Sequence, residues 1–227
     1  MVAKAVANER RAASNGRKIP PELENPFDDA LLDLFALVHP ALHRAGFTAN
    51  GLTLISGAFQ LLAVGCIALD AFGTAAVLYA VGYAFDVFDG NFARTYGSVS
   101  AGGDRLDHYK DITVASLLYL LIIFKDRRSI PLAWKAAFLG TSLLMCTAVG
   151  VFVGCQERFY LHGEKLEREG SAFLRPLRSM CTWSTCPQLR ARLGWLRWLG
   201  VGTWVWFVCT FLVLLAARRA LLLHSSS

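Results

Sequence analysis

Charge is what this chain lacks. Only 18% of its 227 residues are Asp, Glu, Lys or Arg, against 55% hydrophobic. Stretches 51–69 and 199–217, of 19 residues each, carry no charge, and 132–154 carries only Lys135 in 23 residues. Stretches 71–85 and 112–124 are also uncharged, over 15 and 13 residues. Apolar blocks of this length exclude an ordinary soluble domain. The first 25 residues lack the apolar run of a signal peptide. The six cysteines lack the second Cys or His pair that would complete a zinc site with Cys181 and Cys186. Cys66, Cys146 and Cys209 lie inside apolar blocks, where cysteine acts as a small hydrophobe. No internal repeat or low-complexity tract is present beyond the serine tail.

A membrane-spanning helix needs about 20 residues, within a range of about 17–25. Blocks 51–69, 132–154 and 199–217 meet this. The other two fall short unless they run through nearby aspartates, giving 71–89 and 107–124 at 19 and 18 residues. Those carboxylates would then sit at one membrane face, at the mouths of the second and third spans. The net charge of +6 invites a nucleic-acid reading, but placement argues otherwise. With the aspartates on one side, that side carries 17 of the Lys and Arg residues and the other carries 6. The positive-inside rule then puts the aspartates at the cytosol, and no nucleic-acid partner is expected.

The expected fold is all-α: an integral membrane helical bundle of five to six spans, preceded by an interfacial amphipathic helix. Residues 1–24 read as a mobile polar tail and 25–224 as the membrane-embedded domain. Asn25 and Pro26 suit a helix start. Phe27, Leu31, Leu34, Phe35, Val38 and Leu42 then recur at helical spacing, with Asp28, Asp29, Asp33 and Arg44 on other positions. This is an amphipathic helix, bent near Pro40, lying on the membrane or packed on a neighbour. Segment 155–198 is a long mixed-charge connection, with Trp195 and Trp198 placed for an interface belt.

Asp86 and Asp89 are three apart and Asp107 and Asp111 four apart, so each pair shares a helix face. Two facing helices bring the four carboxylates together. At a helix centre in the bilayer each would cost roughly 2.5–3.5 kcal/mol. Two hard divalent ions would cancel the charge and can clamp a phosphoryl group. Gly90, Ala93 and Gly103 are small residues that let a ligand approach the backbone. Arg94 offers a donor fork suited to phosphate.

In sequence these residues read Asp86-x2-Asp89-Gly90-x2-Ala93-Arg94-x8-Gly103-x3-Asp107-x3-Asp111. The pattern resembles the signature of the CDP-alcohol phosphotransferases, with all eight fixed positions filled across 26 residues. Phe47-Thr48-Ala49-Asn50-Gly51-Leu52-Thr53 is also similar to that family's entry to the first span, with Ala49 where proline is usual. The resemblance implies an enzyme of phospholipid synthesis. It transfers a substituted phosphoryl group from a CDP-linked donor to an alcohol and releases CMP. It further implies that Asp86, Asp89, Asp107 and Asp111 bind two Mg²⁺ or Mn²⁺ ions and that Asp111 is also the catalytic base. Gly90, Ala93, Arg94, Gly103 and Asp107 would hold the CDP part. A homodimer among membrane lipids is implied too, in the endoplasmic reticulum or another endomembrane if the source is eukaryotic.

Five spans stand where the family usually has six. Asp107-His108 points toward the choline and ethanolamine branch, which transfers to diacylglycerol, whereas the short chain favours CDP-diacylglycerol as donor. Asp104 and His108 either pair with each other or leave His108 to touch substrate. Arg158, Arg175 and Arg178 are candidates for an acceptor phosphate, or else solvated or lipid-headgroup contacts. Inositol, serine, glycerol phosphate, choline and ethanolamine stay open as acceptors. A polyprenyl-type transferase and a cation carrier are the rival classes; neither needs Gly90, Ala93, Arg94 and Gly103 at fixed intervals.

Overall fold

A computed structural model describes residues 16–164, 171 and 173–225. Helix α1 is Pro26–Arg44, α2 Ala49–Ala68, α3 Phe72–Thr95, α4 Ala101–Phe124 and α5 Leu132–Glu164. Two short helices follow, α6 (Arg175–Met180) and α7 (Cys186–Leu196), before α8 (Val201–Ser225). No strand occurs among the described residues, so the all-helical expectation holds.

By length and composition, Ala49–Ala68, Leu132–His162 and the region Cys186–His224 are apolar enough to cross a membrane. Helices α3 and α4 fall below that standard because their aspartates lie within them. Each nonetheless has 24 residues. At about 1.5 Å per residue that is roughly 36 Å, more than the hydrocarbon core of about 30 Å. Both run unbroken through the aspartates, as the shortness of their apolar blocks required. Five long helices thus match the five apolar blocks. Among the described residues, segment 155–198 forms no sixth span: α5 extends into it, and α6 and α7 are too short. The charged stretch 165–170 lies outside the described residues.

The bundle core joins α2, α3, α4, α5 and α8 through Ala63, Ile67, Phe72, Tyr79, Leu118, Phe138, Val208 and Leu212, all buried. Other apolar side chains face outward, including Leu62, Leu143, Leu144 and Val213. An outer apolar surface suits hydrocarbon, where association of helices depends on close packing rather than on removing greasy surface from water. Gly82 provides such packing between α2 and α3. A Cβ there would lie 2.6 Å from Gln60 Cγ and 3.0 Å from the Ser56 carbonyl oxygen.

The turn between these helices places Asp70 in the left-handed region at φ 59°, a conformation Asp tolerates better than most residues. Its carboxylate meets Lys125 at 2.9 Å and Arg219 at 3.0 Å. These groups mark the end of the bundle away from the aspartates. Lys135, the sole charge in its apolar block, donates to the Ile123 carbonyl at 2.8 Å and to that of Lys125. It therefore caps the C-terminus of α4, where the helix dipole favours a cation.

Helix α1 begins as expected. The Asn25 side chain accepts from the Phe27 amide at 3.1 Å, with Pro26 in the first turn. Leu32 and Phe35 are buried against the bundle, while Leu34, Leu37 and Val38 face out. Both sequence alternatives for this helix are thus represented: one face packs and another is exposed and apolar.

Residues 1–15 of the expected tail lie outside the described set, but 16–24 are packed. Ile19 and Leu23 are buried with Phe152, Phe159 and Leu189. Arg17 pairs with Asp29, and with Asp33 at 2.5 Å. Gly16, at φ 72°, sits where any Cβ would strike Thr95 Oγ1. The segment is a strap across the aspartate end of the bundle. Cys155 and Cys181 form a disulfide between α5 and the end of α6. Both belong to the cluster that buries Ile19 and Leu23.

Replacing Gly82 by Leu is expected to force α2 and α3 apart. Overpacking of this kind costs about 1–3 kcal/mol. The detergent-solubilised variant should show a lowered unfolding temperature by intrinsic fluorescence.

Candidate active site

Local capping sets the register of the site. Thr48 caps α2 by accepting from the Gly51 amide at 3.1 Å, which puts Asn50 in the first turn. Ala49 stands at the first helical position, the place where proline is also favoured. Ser100 caps α4 by accepting from the Gly103 amide at 3.1 Å. The caps bring Asn50 and Gly103 together: a Cβ on Gly103 would lie 2.8 Å from Asn50 Oδ1.

Between these helix ends lies a cavity of about 240 Å³. Of the residues named by the sequence, Asp89, Gly90, Ala93, Arg94, Gly103 and Asp107 line it, along with Asn50 and Thr53. Asp86 is one helical turn below Asp89 on α3. One oxygen from each of Asp86, Asp89 and Asp107 lies within 4.8 Å of the others. Asp89 is only 5% exposed, and its Oδ2 has no hydrogen-bond partner. An orphaned carboxylate oxygen in a buried cluster is costly unless a cation meets it. The donor set, all hard oxygens, fits Mg²⁺ or Mn²⁺.

Asp111 lies outside that group of three. It is half-exposed and contacts the cluster through Lys110, whose ammonium lies 3.1 Å from Asp111 Oδ1. The same ammonium pairs with Asp86, and with Asp107 at 2.9 Å. Lys110 escaped the sequence reading, although its position beside Asp111 and three residues after Asp107 was a usable signal.

Arg94 does not present its whole fork to the cavity. Its Nε donates to the Gly16 carbonyl at 2.6 Å, holding the N-terminal strap. Its Nη1 would be 3.2 Å from a Cβ on Gly90, so the glycine makes room for the guanidinium as well as for a ligand. His108 Nδ1 lies 2.7 Å from the Asp104 carbonyl oxygen, and its ring stacks on Phe173 at 4.9 Å. The Asp104 carboxylate is 3.7 Å from that ring and instead accepts from Ser171 Oγ at 2.8 Å. Both residues line the cavity.

The remaining wall comes from outside the sequence motif. Lys18 enters from the strap, and Glu157, Tyr160 and Leu161 from α5. Lys18 Nζ lies 3.7 Å from Glu157 Oε2. Burial, with Arg94 nearby, lowers the pKa of Lys18, and Glu157 opposes that shift. Behind this wall Glu24 accepts from Gln156 Nε2 at 3.1 Å. Burial, reinforced by Asp28, raises the Glu24 carboxyl to about 7. Arg158 is used elsewhere, donating to the carbonyls of Arg178 at 2.8 Å and Trp183 at 3.3 Å. None of Arg158, Arg175 and Arg178 lines the cavity.

Sequence comparison agrees with the geometry. The CDP-alcohol phosphatidyltransferase family matches residues 47–206, which run from the entry to α2 into α8 and include every cavity-lining residue except Lys18. No curated protein and no solved structure matches the chain. With the family match spanning most of the sequence and six of the eight signature residues lining one cavity, the chain belongs to the CDP-alcohol phosphatidyltransferase family, membrane transferases acting on CDP-linked alcohols.

Proposed function

We propose that the chain makes phospholipid by transferring the phosphatidyl group of CDP-diacylglycerol to a small polar alcohol, with CMP as the leaving product. The observation that carries this is the meeting of Asp86, Asp89 and Asp107 beside a cavity walled by Gly90, Ala93, Arg94 and Gly103. A short chain with five long helices favours that donor. His108 in the cavity wall is the observation favouring the other branch, transfer from CDP-choline or CDP-ethanolamine to diacylglycerol.

The residues divide the work as follows. Asp86, Asp89 and Asp107 would hold Mg²⁺ or Mn²⁺. A divalent ion there would neutralise the donor diphosphate and stabilise departing CMP. Gly90, Ala93 and Gly103 leave room for the nucleotide against the helix backbones. Arg94, fixed through its Nε, keeps terminal guanidinium nitrogens for phosphate. Asp111, half-exposed at the edge of the cluster, accepts the proton of the attacking hydroxyl. Glu157, Tyr160 and Ser171 lie on the wall contributed by 155–198 and are the residues best placed to select the acceptor. A homodimer in the membrane completes the proposed assembly.

We place this site at the cytosol on the strength of the 17 to 6 distribution of Lys and Arg. The Cys155–Cys181 disulfide lies on the same side, and its two residues are buried, away from soluble reductants.

A screen of purified protein against CDP-linked donors and the candidate alcohols, scored by the lipid formed, tests the reaction. CMP release is expected only with Mg²⁺ or Mn²⁺ present. Asp111→Asn is expected to reduce it at least about 100-fold, the scale on which loss of a positioned acid–base group is felt, and Asp89→Asn, which takes a carboxylate from the metal site, to abolish it. Full activity in either variant overturns its assigned role. Formation of phosphatidylcholine or phosphatidylethanolamine from a CDP-alcohol and diacylglycerol would select the other branch.

Orientation is tested separately. In sealed membrane vesicles with the cytosolic face outward, a membrane-impermeant maleimide is expected to label Arg105→Cys and to spare Arg127→Cys until the membrane is permeabilised. The reverse pattern would invert the assigned topology.

A further inference from the structure

Lys110 is the side chain that the reaction scheme leaves without a task. Its ammonium ion-pairs with Asp86 Oδ1, lies 2.9 Å from Asp107 Oδ1 and 3.1 Å from Asp111 Oδ1, and donates to Ser56 Oγ at 3.4 Å. Three carboxylates around one ammonium is the setting of an internal counter-ion, not of a solvated surface lysine. The side chain is 8% exposed. Its stem also has a prepared path: a Cβ at Gly57 would stand 3.1 Å from Lys110 Cγ, tighter than side chains ordinarily pack. Helix α2 therefore supplies both a bare backbone for the stem and a hydroxyl for the head.

The contacts split the cluster in two. Lys110 engages the Oδ1 atoms of Asp86, Asp107 and Asp111, and Asp89 is not among its partners. Asp89 instead keeps a buried, unpartnered Oδ2, and one of its oxygens lies within 4.8 Å of one from each of Asp86 and Asp107. One half of the cluster is thus short of a cation, and the other half already has one. A second divalent ion would need carboxylate oxygens at about 2.0–2.6 Å. The ammonium already holds Asp111 Oδ1 and one oxygen each of Asp86 and Asp107. Four carboxylates with one ammonium and one divalent ion retain a net charge of about −1, close to the neutrality that an apolar site favours.

We propose that Lys110 is the resident cation of the aspartate cluster, occupying the place of a second divalent ion, so that the site takes one divalent ion between Asp86, Asp89 and Asp107 rather than two. The proposal rests on the reading that these aspartates bind a divalent ion at all. Lys110 keeps the Asp111 side of the cluster compensated whether or not that ion is bound.

The test is the Mn²⁺ stoichiometry of the full chain in detergent, read from the free-Mn²⁺ paramagnetic resonance signal, without nucleotide and with saturating CMP. One Mn²⁺ per chain is expected for the native protein in both conditions, and two for Lys110→Met. Two for the native protein overturns the proposal while leaving the metal site intact. One for Lys110→Met overturns it as well, because the ammonium would not be what excludes the second ion. No bound Mn²⁺ in the native protein removes both the proposal and the metal site beneath it. Gel filtration checks that the variant is folded, and the native ratio decides alone if it aggregates.

Discussion

Uncompensated negative charge at the mouths of α3 and α4 is the constraint around which this molecule is arranged. Four carboxylates close together in an apolar bundle repel one another and lose hydration. The fold answers in three ways. The two helices carry all four aspartates on the half of the bundle that holds the cavity. Lys110 threads along Gly57 to pair with Asp86, Asp107 and Asp111. The charge left over, at Asp89, lines the cavity with one oxygen unpartnered, where a cation is proposed to bind. Close packing of α2 on α3 at Gly82 holds Ser56 and Gly57 where this arrangement needs them. Packing and site chemistry therefore share the same few residues.

Much of this was legible in the sequence because it was written locally. Spacings of three and four residues placed the aspartates on helix faces. The shortness of 71–85 and 112–124 required α3 and α4 to run through their aspartates. Asn25 is a side chain whose capping chemistry depends on neighbours within two residues. What was not legible depends on distant contacts. Residues 16–24 look like a polar tail, yet Arg17 finds Asp29 and Asp33, and Ile19 and Leu23 find the end of α5. Cys155 and Cys181 are 26 residues apart, and nothing near either foretells their bond. Arg158 looked available for phosphate until the fold brought two backbone carbonyls to it.

The cavity is built from two kinds of material. One side, from Asp89 to Asp107, comes from the contiguous signature and is positioned by α3 and α4. The facing side comes from separate pieces of chain: Lys18 on the strap, Glu157 and Tyr160 on α5, and Ser171 beyond it. Arg94 links the two, since the residue proposed to hold phosphate also holds the Gly16 carbonyl of the strap.

The central claim is that a divalent cation, not a structural salt-bridge network alone, completes the aspartate cluster. Anomalous X-ray scattering from crystals of the protein grown with Mn²⁺ tests it most directly. The account predicts a peak bounded by Asp86, Asp89 and Asp107. A well-ordered cluster with no peak, or a peak held by other residues, would contradict it.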